Sequence, residues 1–317
     1  VLKTLTIDSQ GSGGSGGASG LDTLVAAETK VRVSSDGPAV FPALEDPDRI
    51  GRYHVRVVLG EGSMCRVYRA YDPLEGREVA VKVLKEPFAH DPSIVERFRR
   101  EAVAGRRLGH PALVDILDAG TDYLVQELVE GESLAARLRR RGPIRPEAAL
   151  PILAAVADAL DHVHSRAVVH RDVKPSNVLL ARAGGAKLAD FGVARLAWAP
   201  ITRAGEVIGT PAYMAPEQLS GAVVQALSDL YSLAVVAHET LTGVRPFRRP
   251  SLGALLQSIV TDEPPRASAV NPALPEAVDG VLAKALAKVP ARRYPDGRTF
   301  VTALRAAFDR APGFSGD

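Results

Sequence analysis

A chain of 317 residues is too long for one small core and suits a large two-lobed domain with tails. Hydrophobic residues make up 46% of it, ordinary for a globular protein, and a net charge of +2 gives no support for nucleic acid as the main partner. No run of about 18 apolar residues occurs, so no membrane span is expected. The single cysteine, Cys65, excludes an internal disulfide and suits a reducing cytoplasm. No signal peptide is visible, and the first residue is Val, which fits either a fragment or an unusual start.

Residues 1–48 read as a flexible arm. Gly11 to Gly20 is almost wholly Gly and Ser, and residues 21–48 mix short apolar patches with prolines and acids. Arg52–Leu59 and Arg66–Tyr71 read as strands. Between them, Gly60-Glu61-Gly62-Ser63-Met64-Cys65 makes a hairpin tip whose glycines let backbone N–H groups approach phosphates. Glu78–Leu84 alternates as a third strand. Ser93-Ile94-Val95-Glu96 reads as a capping box opening a helix to about Leu108. Leu113–Leu117 and Tyr123–Val129 are the next two strands. Pro146 suits the first turn of a long helix to about Ser165, which Pro151 should kink or delay.

The stretch Val168–Leu180 carries most of the chemistry. Its apolar ends predict two small buried strands holding a polar loop rigid. His170, Arg171, Asp172, Lys174 and Asn177 fall within eight positions. Asp172 can orient a hydroxyl and accept its proton, Lys174 can neutralise a moving phosphoryl group, and Asn177 can offer an oxygen to a metal.

His170-Arg171-Asp172 with Asn177 resembles the catalytic loop of protein kinases, and the other motifs follow in that family's order. The resemblance covers residues about 50–310. Val-Val-His-Arg-Asp-Val-Lys-Pro-Ser-Asn and Gly-Thr-Pro-Ala-Tyr-Met-Ala-Pro-Glu-Gln are similar to the bacterial eukaryotic-like serine/threonine group. It implies an α+β, two-lobed protein kinase fold: a small antiparallel-sheet lobe with one helix (49–130), a larger, mainly helical lobe (131–310) and a short tail (311–317). It implies phosphoryl transfer from ATP, with Mg2+ (or Mn2+), to Ser/Thr of protein substrates, by a cytoplasmic signalling enzyme. Many such relatives carry a membrane span after the kinase, so the chain is read as soluble as given or cut short.

By the same resemblance, Leu59, Gly60, Glu61, Gly62, Val67, Ala80, Lys82, Glu127, Val129 and Leu179 bind the nucleotide. Lys82 grips its phosphates and pairs with Glu101, Gln126-Glu127-Leu128-Val129 is the hinge, with Gln126 at the gate behind adenine, and Asp190 of Asp190-Phe191-Gly192 binds magnesium with Asn177. Asp172, Lys174, Asn177 and Thr210 are the catalytic set, and Thr202 in the activation segment is the candidate phosphosite, with Arg171 as phosphate partner. Asp229 is expected to anchor the catalytic loop and Arg293 to pair with Glu217.

Three positions depart from the pattern. Cys65 replaces the third glycine of the loop and is read as a tolerated substitution rather than a redox handle. Ala204 stands where relatives often have a second threonine. Gly105, one turn after Glu101, stands where the family places a large apolar residue, so a packing gap is expected there, along with an activating partner or second copy to fill it and higher activity in Gly105→Leu. These departures keep a pseudokinase scaffold as the alternative. A small-molecule kinase is set aside because Gly-Thr-Pro-x-Tyr and Ala-Pro-Glu are peptide-docking motifs.

Overall fold

The computed structural model describes residues 47–62, 64–190, 211–221 and 224–310, apart from the side chains of Pro87, Glu101 and Ala104. The arm up to residue 46, the Glu101 side chain, Thr202, Ala204, Thr210 and the 311–317 tail lie outside the described residues, as does most of the expected activation segment.

The first lobe is a six-stranded antiparallel sheet. Its strands are β1 (Arg49–Ile50), β2 (Tyr53–Glu61), β3 (Cys65–Asp72), β4 (Arg77–Leu84), β5 (Ile116–Ala119) and β6 (Tyr123–Glu127), in the order β1-β2-β3-β4-β6-β5. β4 shows why the sheet stands firm. Val79 and Val81 point to one face and join Tyr53, Tyr68 and Val125, while Ala80, Lys82 and Leu84 point to the other. On that second face Leu84 and Leu124 pack with Phe98, Ala102 and Ile116. Phe98 and Ala102 belong to α2 (Pro92–Gly105), which follows the short α1 (Glu86–Ala89).

The expected capping box at Ser93 is replaced by a cap two residues earlier. Asp91 caps α2, its Oδ1 accepting the N–H of Ser93 at 2.8 Å and of Ile94 at 3.4 Å. Ser93 therefore lies inside the helix, and Glu96 pairs with Arg100 at 3.0 Å instead. The gap expected at Gly105 is absent. A Cβ there would lie 2.1 Å from Cδ1 and 3.1 Å from Cγ1 of Ile116, whose buried side chain already fills the space. Gly105 is thus the smooth surface that lets β5 press against α2, and Gly105→Leu would overpack the contact rather than repair it. The observation that called for an activating partner goes with it.

The second lobe opens with β7 (Gly131–Ser133), β8 (Val178–Ala181) and β9 (Ala186–Leu188), an antiparallel sheet in that order. Ser133 caps α3 (Leu134–Arg141), its side chain accepting from the N–H of Ala136. The helix α4 (Pro146–His164) starts at Pro146 and continues unbroken through Pro151, against the expected delay. Pro151 is exposed, so the carbonyl freed by its missing N–H lies on the solvent side. The remaining helices are α5 (Pro216–Leu219), α6 (Ala226–Thr242), α7 (Leu252–Thr261), α8 (Ala267–Val270), α9 (Ala277–Ala285) and α10 (Gly297–Asp309). α6 is buried on almost every side, between α4 and α9, and its first turn presents Asp229 to the site. Leu153, Leu160, Phe300, Leu304 and Phe308 close the core around it. No described helix is long and apolar enough to cross a membrane.

Val168 and Val169 do not form the expected first small strand. Ala167 and Arg171 take left-handed backbone angles, φ 58° and 68°, which turn the chain on both sides and leave too few residues for a ladder. Val178–Ala181 does form the second, as β8.

Candidate active site

The polar loop is held from beneath by one buried carboxylate. Asp229, 1% exposed, accepts the N–H of His170 and of Arg171, both at 2.7 Å. Its Oδ2 also lies 2.8 Å from His164 Nε2 at the end of α4. These bonds over-determine the left-handed conformation at Arg171, which a non-glycine residue adopts only when held there. His170 is fully buried between them. Its Nε2–H donates to the carbonyl of Ala189 at 3.1 Å, and its Nδ1 accepts the N–H of Asp172 at 3.3 Å. That pattern fits a neutral imidazole, and burial pushes the His170 pKa down. The ring therefore ties the loop to the residue before Asp190.

Around Asp172 the polar groups converge. Lys174 Nζ lies 2.8 Å from Oδ2. Asn177 Nδ2 donates to the Asp172 carbonyl at 2.9 Å and to Oδ2 at 3.1 Å. With its nitrogen committed, Asn177 leaves Oδ1 as the atom that can meet a cation. The carbonyl of Asn177 accepts the N–H of Ala189 at 2.8 Å, which sets Asn177 beside Asp190. Asp190 itself has φ 60°, and its Oδ1 lies 2.9 Å from Lys82 Nζ, so a side chain of β4 reaches across the lobes to the strand end after β9. Asp190 and Asn177 Oδ1 are hard oxygen donors of the kind magnesium takes in small number, its other positions going to water and phosphate. Among the described residues no three His, Cys, Asp or Glu side chains gather as a closed metal cage.

The sheet supplies the opposite wall. Val67 stands directly across from Gly60 on β2 and from Lys82 on β4, and Ala80 stands across from Gln126 on β6, so these side chains share a face. Gln126 is 7% exposed. Leu179 on β8 is half-buried, opposite Ser133 on one side and Lys187 on the other. At Gly60 no atom lies within 4 Å of where a Cβ would stand, and the N–H of Gly62 closes the hairpin on the Cys65 carbonyl at 2.8 Å. Glu61 points its carboxylate away to Lys85 at 2.6 Å and Arg66 at 3.1 Å, so only its backbone can serve a phosphate. The Lys85 hydrogen bond and charge lower its pKa.

Below the site, Arg293 clasps Glu217 in two bonds, 2.6 and 2.7 Å, and Ser228 adds a third at 2.8 Å. Burial would raise the Glu217 carboxyl, but the Arg293 hydrogen bonds and charge win and hold it low. Tyr213 donates to Glu239 at 2.6 Å, and burial pushes that carboxyl up. The two anchors expected from sequence, Asp229 and the Glu217–Arg293 pair, are therefore in place. The Lys82–Glu101 pair and the roles of Thr202 and Thr210 fall on undescribed side chains. Lys187, which pairs with Glu127, was given no role by the sequence.

Comparison with known proteins gives this arrangement its relatives. A family described as "Protein kinase domain" matches residues 53–299. The chain is 38% identical over 264 residues to serine/threonine-protein kinase PrkC of Bacillus subtilis, covering 82% of this chain and 41% of that one. It is 40% identical over 262 residues to serine/threonine-protein kinase PknH of Mycobacterium bovis, covering 81% and 44%. It thus spans less than half the length of PrkC and of PknH. The crystal structure of the Mycobacterium tuberculosis PknI kinase domain superposes with a TM-score of 0.67 at 32% identity, over 82% of this chain and 97% of that one. On these matches and the geometry above, the chain belongs to the protein kinase family.

Proposed function

We propose that this chain transfers the γ-phosphoryl group of ATP to Ser or Thr hydroxyls of protein substrates. The observation that carries the reading is the 2.9 Å contact of Lys82 with Asp190 beside an Asp172 held by Lys174 and Asn177. Lys82 binds the α- and β-phosphates. Asp190 and Asn177 Oδ1 would hold magnesium, which would supply charge neutralisation on the phosphates. Asp172 accepts the hydroxyl proton as the substrate oxygen bonds to the γ-phosphorus. The bond from that phosphorus to the bridging oxygen breaks, and ADP leaves with the electron pair. Lys174 stabilises the charge on the transferring group. Gly60, Gly62, Leu59, Val67, Ala80, Val129 and Leu179 enclose the nucleotide, and Thr210 contributes from the substrate side. Phosphorylation of Thr202 would give Arg171 a partner. Among the described residues its buried Nε has none, which supports that assignment. The setting proposed is bacterial signalling in the cytoplasm.

Incubation with labelled MgATP and a basic protein tests the reading. Label is expected on Ser and Thr with wild type. Asp172→Asn should cut the rate by roughly 100-fold or more, the scale of a lost general base. Nucleotide binding without transfer from wild type would favour the pseudokinase scaffold instead.

A further inference from the structure

The hinge residue Glu127 ends β6, and residues 128–130 after it have no regular structure. In the sheet its partner is Val79 at the end of the β4–β6 ladder. Its side chain is held as well. Glu127 Oε1 accepts the N–H of Asp115 at 3.0 Å and forms an ion pair with Lys187 Nζ, while the Glu127 N–H donates to the Asp115 carbonyl at 2.9 Å. Lys187 Nζ also reaches the carbonyl of Leu113 at 3.4 Å. The two partners lie in different sheets, β6 in the first lobe and β9 in the second. Their side chains are 25% and 24% exposed, so water and salt screen the pair only in part. Two backbone bonds brace the same crossing: Val114 N–H to the Leu188 carbonyl at 3.0 Å, and Leu188 N–H to the Ala112 carbonyl at 2.8 Å.

Lys187 is also well placed along its own strand. It stands opposite Leu179, on the floor of the nucleotide cleft, and three residues before Asp190. A single short strand thus joins the end of the cleft that meets the base to the end that meets the phosphates.

We propose that Lys187 is a positioning residue for the nucleotide base: by gripping the Glu127 carboxylate from the second lobe, it aims the Glu127 main-chain carbonyl at the exocyclic amino group of adenine. The inference rests on the kinase reading of the hinge. Its signature is selective. A residue that merely stabilises the fold affects all nucleotides alike. A residue that aims an acceptor carbonyl favours adenine, which donates from its amino group, over hypoxanthine, which presents a carbonyl there.

The test measures binding of ATP and ITP by calorimetry, alongside phosphorylation kinetics, for wild type, Lys187→Met and Lys187→Arg. In Lys187→Met the KM for ATP should rise about tenfold with kcat changed less than about threefold, and the preference for ATP over ITP should shrink by a similar factor. Lys187→Arg should restore most of the preference. Should Lys187→Met fail to fold, Lys187→Gln serves in its place, losing the charge but keeping a polar side chain. Equal weakening of both nucleotides, or an unchanged ATP preference, would overturn the proposal. If wild type prefers ATP in binding but transfers nothing, the kinase reading fails while the positioning role still stands on the binding data.

Discussion

The two walls of the cleft are held in opposite ways. The catalytic loop rests on Asp229, which is 1% exposed and receives three donors, with a fully buried His170 above it. The glycine loop is tied by Glu61 and Lys85, whose side chains are 47% and 29% exposed. Charges sequestered from water hold geometry tightly, because losing one partner strands the others. Charges at the surface exchange a partner for water at little cost. On the proposed function, the wall that places the proton acceptor is held by buried charge, and the wall that admits and releases the nucleotide by exposed charge.

The largest effect is expected from breaking the rigid wall. Asp229→Asn leaves the side chain in place but removes an ionised acceptor from the N–H groups of His170 and Arg171 and from His164. Stability should fall by about 2–4 kcal/mol in urea unfolding. The rate of transfer should fall by about 100-fold, since the loop carrying Asp172 loses its register. A stability loss with the rate intact would mean that the loop keeps its shape without this anchor.

Between the walls sits the contact of α2 with β5. Gly105→Leu forces a branched side chain onto Ile116 and should cost about 1–3 kcal/mol, with activity lowered rather than raised. Gly105→Leu combined with Ile116→Ala makes room and should recover part of the loss, which a double-mutant cycle would read as coupling. A single Gly105→Leu variant as stable as wild type would show that the helix moves freely against the sheet.

These two sites mark how far the sequence was legible. Asp229 and the Glu217–Arg293 pair, 76 residues apart, were readable because each residue type sits in a recognisable motif. The expected gap at Gly105 failed because helical spacing describes one face of one element and says nothing of the strand packed on it. Ile116 lies eleven positions on and looks like any strand isoleucine. Asp91 and Ser93 are both good cap residues two positions apart, and only the fold decides between them. The failure of a strand at Val168 came from two left-handed residues, Ala167 and Arg171, whose side chains give no hint of it. Lys187 was invisible for a different reason. A lysine and a glutamate 60 residues apart, each in a short strand, carry no local signal, and their pairing exists only once the two sheets meet.

The smallest effect belongs to the loose wall. Glu61→Gln removes the charge that Lys85 and Arg66 share while keeping a side chain of the same shape. Both partners then turn to water, so the midpoint of urea unfolding should not move measurably. The nucleotide should feel the change more than the fold does. With Glu61 neutral, Lys85 and Arg66 add uncompensated positive charge near the loop that meets the phosphates. ATP should therefore bind slightly tighter at low salt, and the gain should vanish as salt is raised. A titration of ATP affinity against ionic strength, wild type beside Glu61→Gln, reads this directly. A shift that persists at high salt would mean that the ion pair shapes the loop itself. The glycine loop would then belong with the rigid wall.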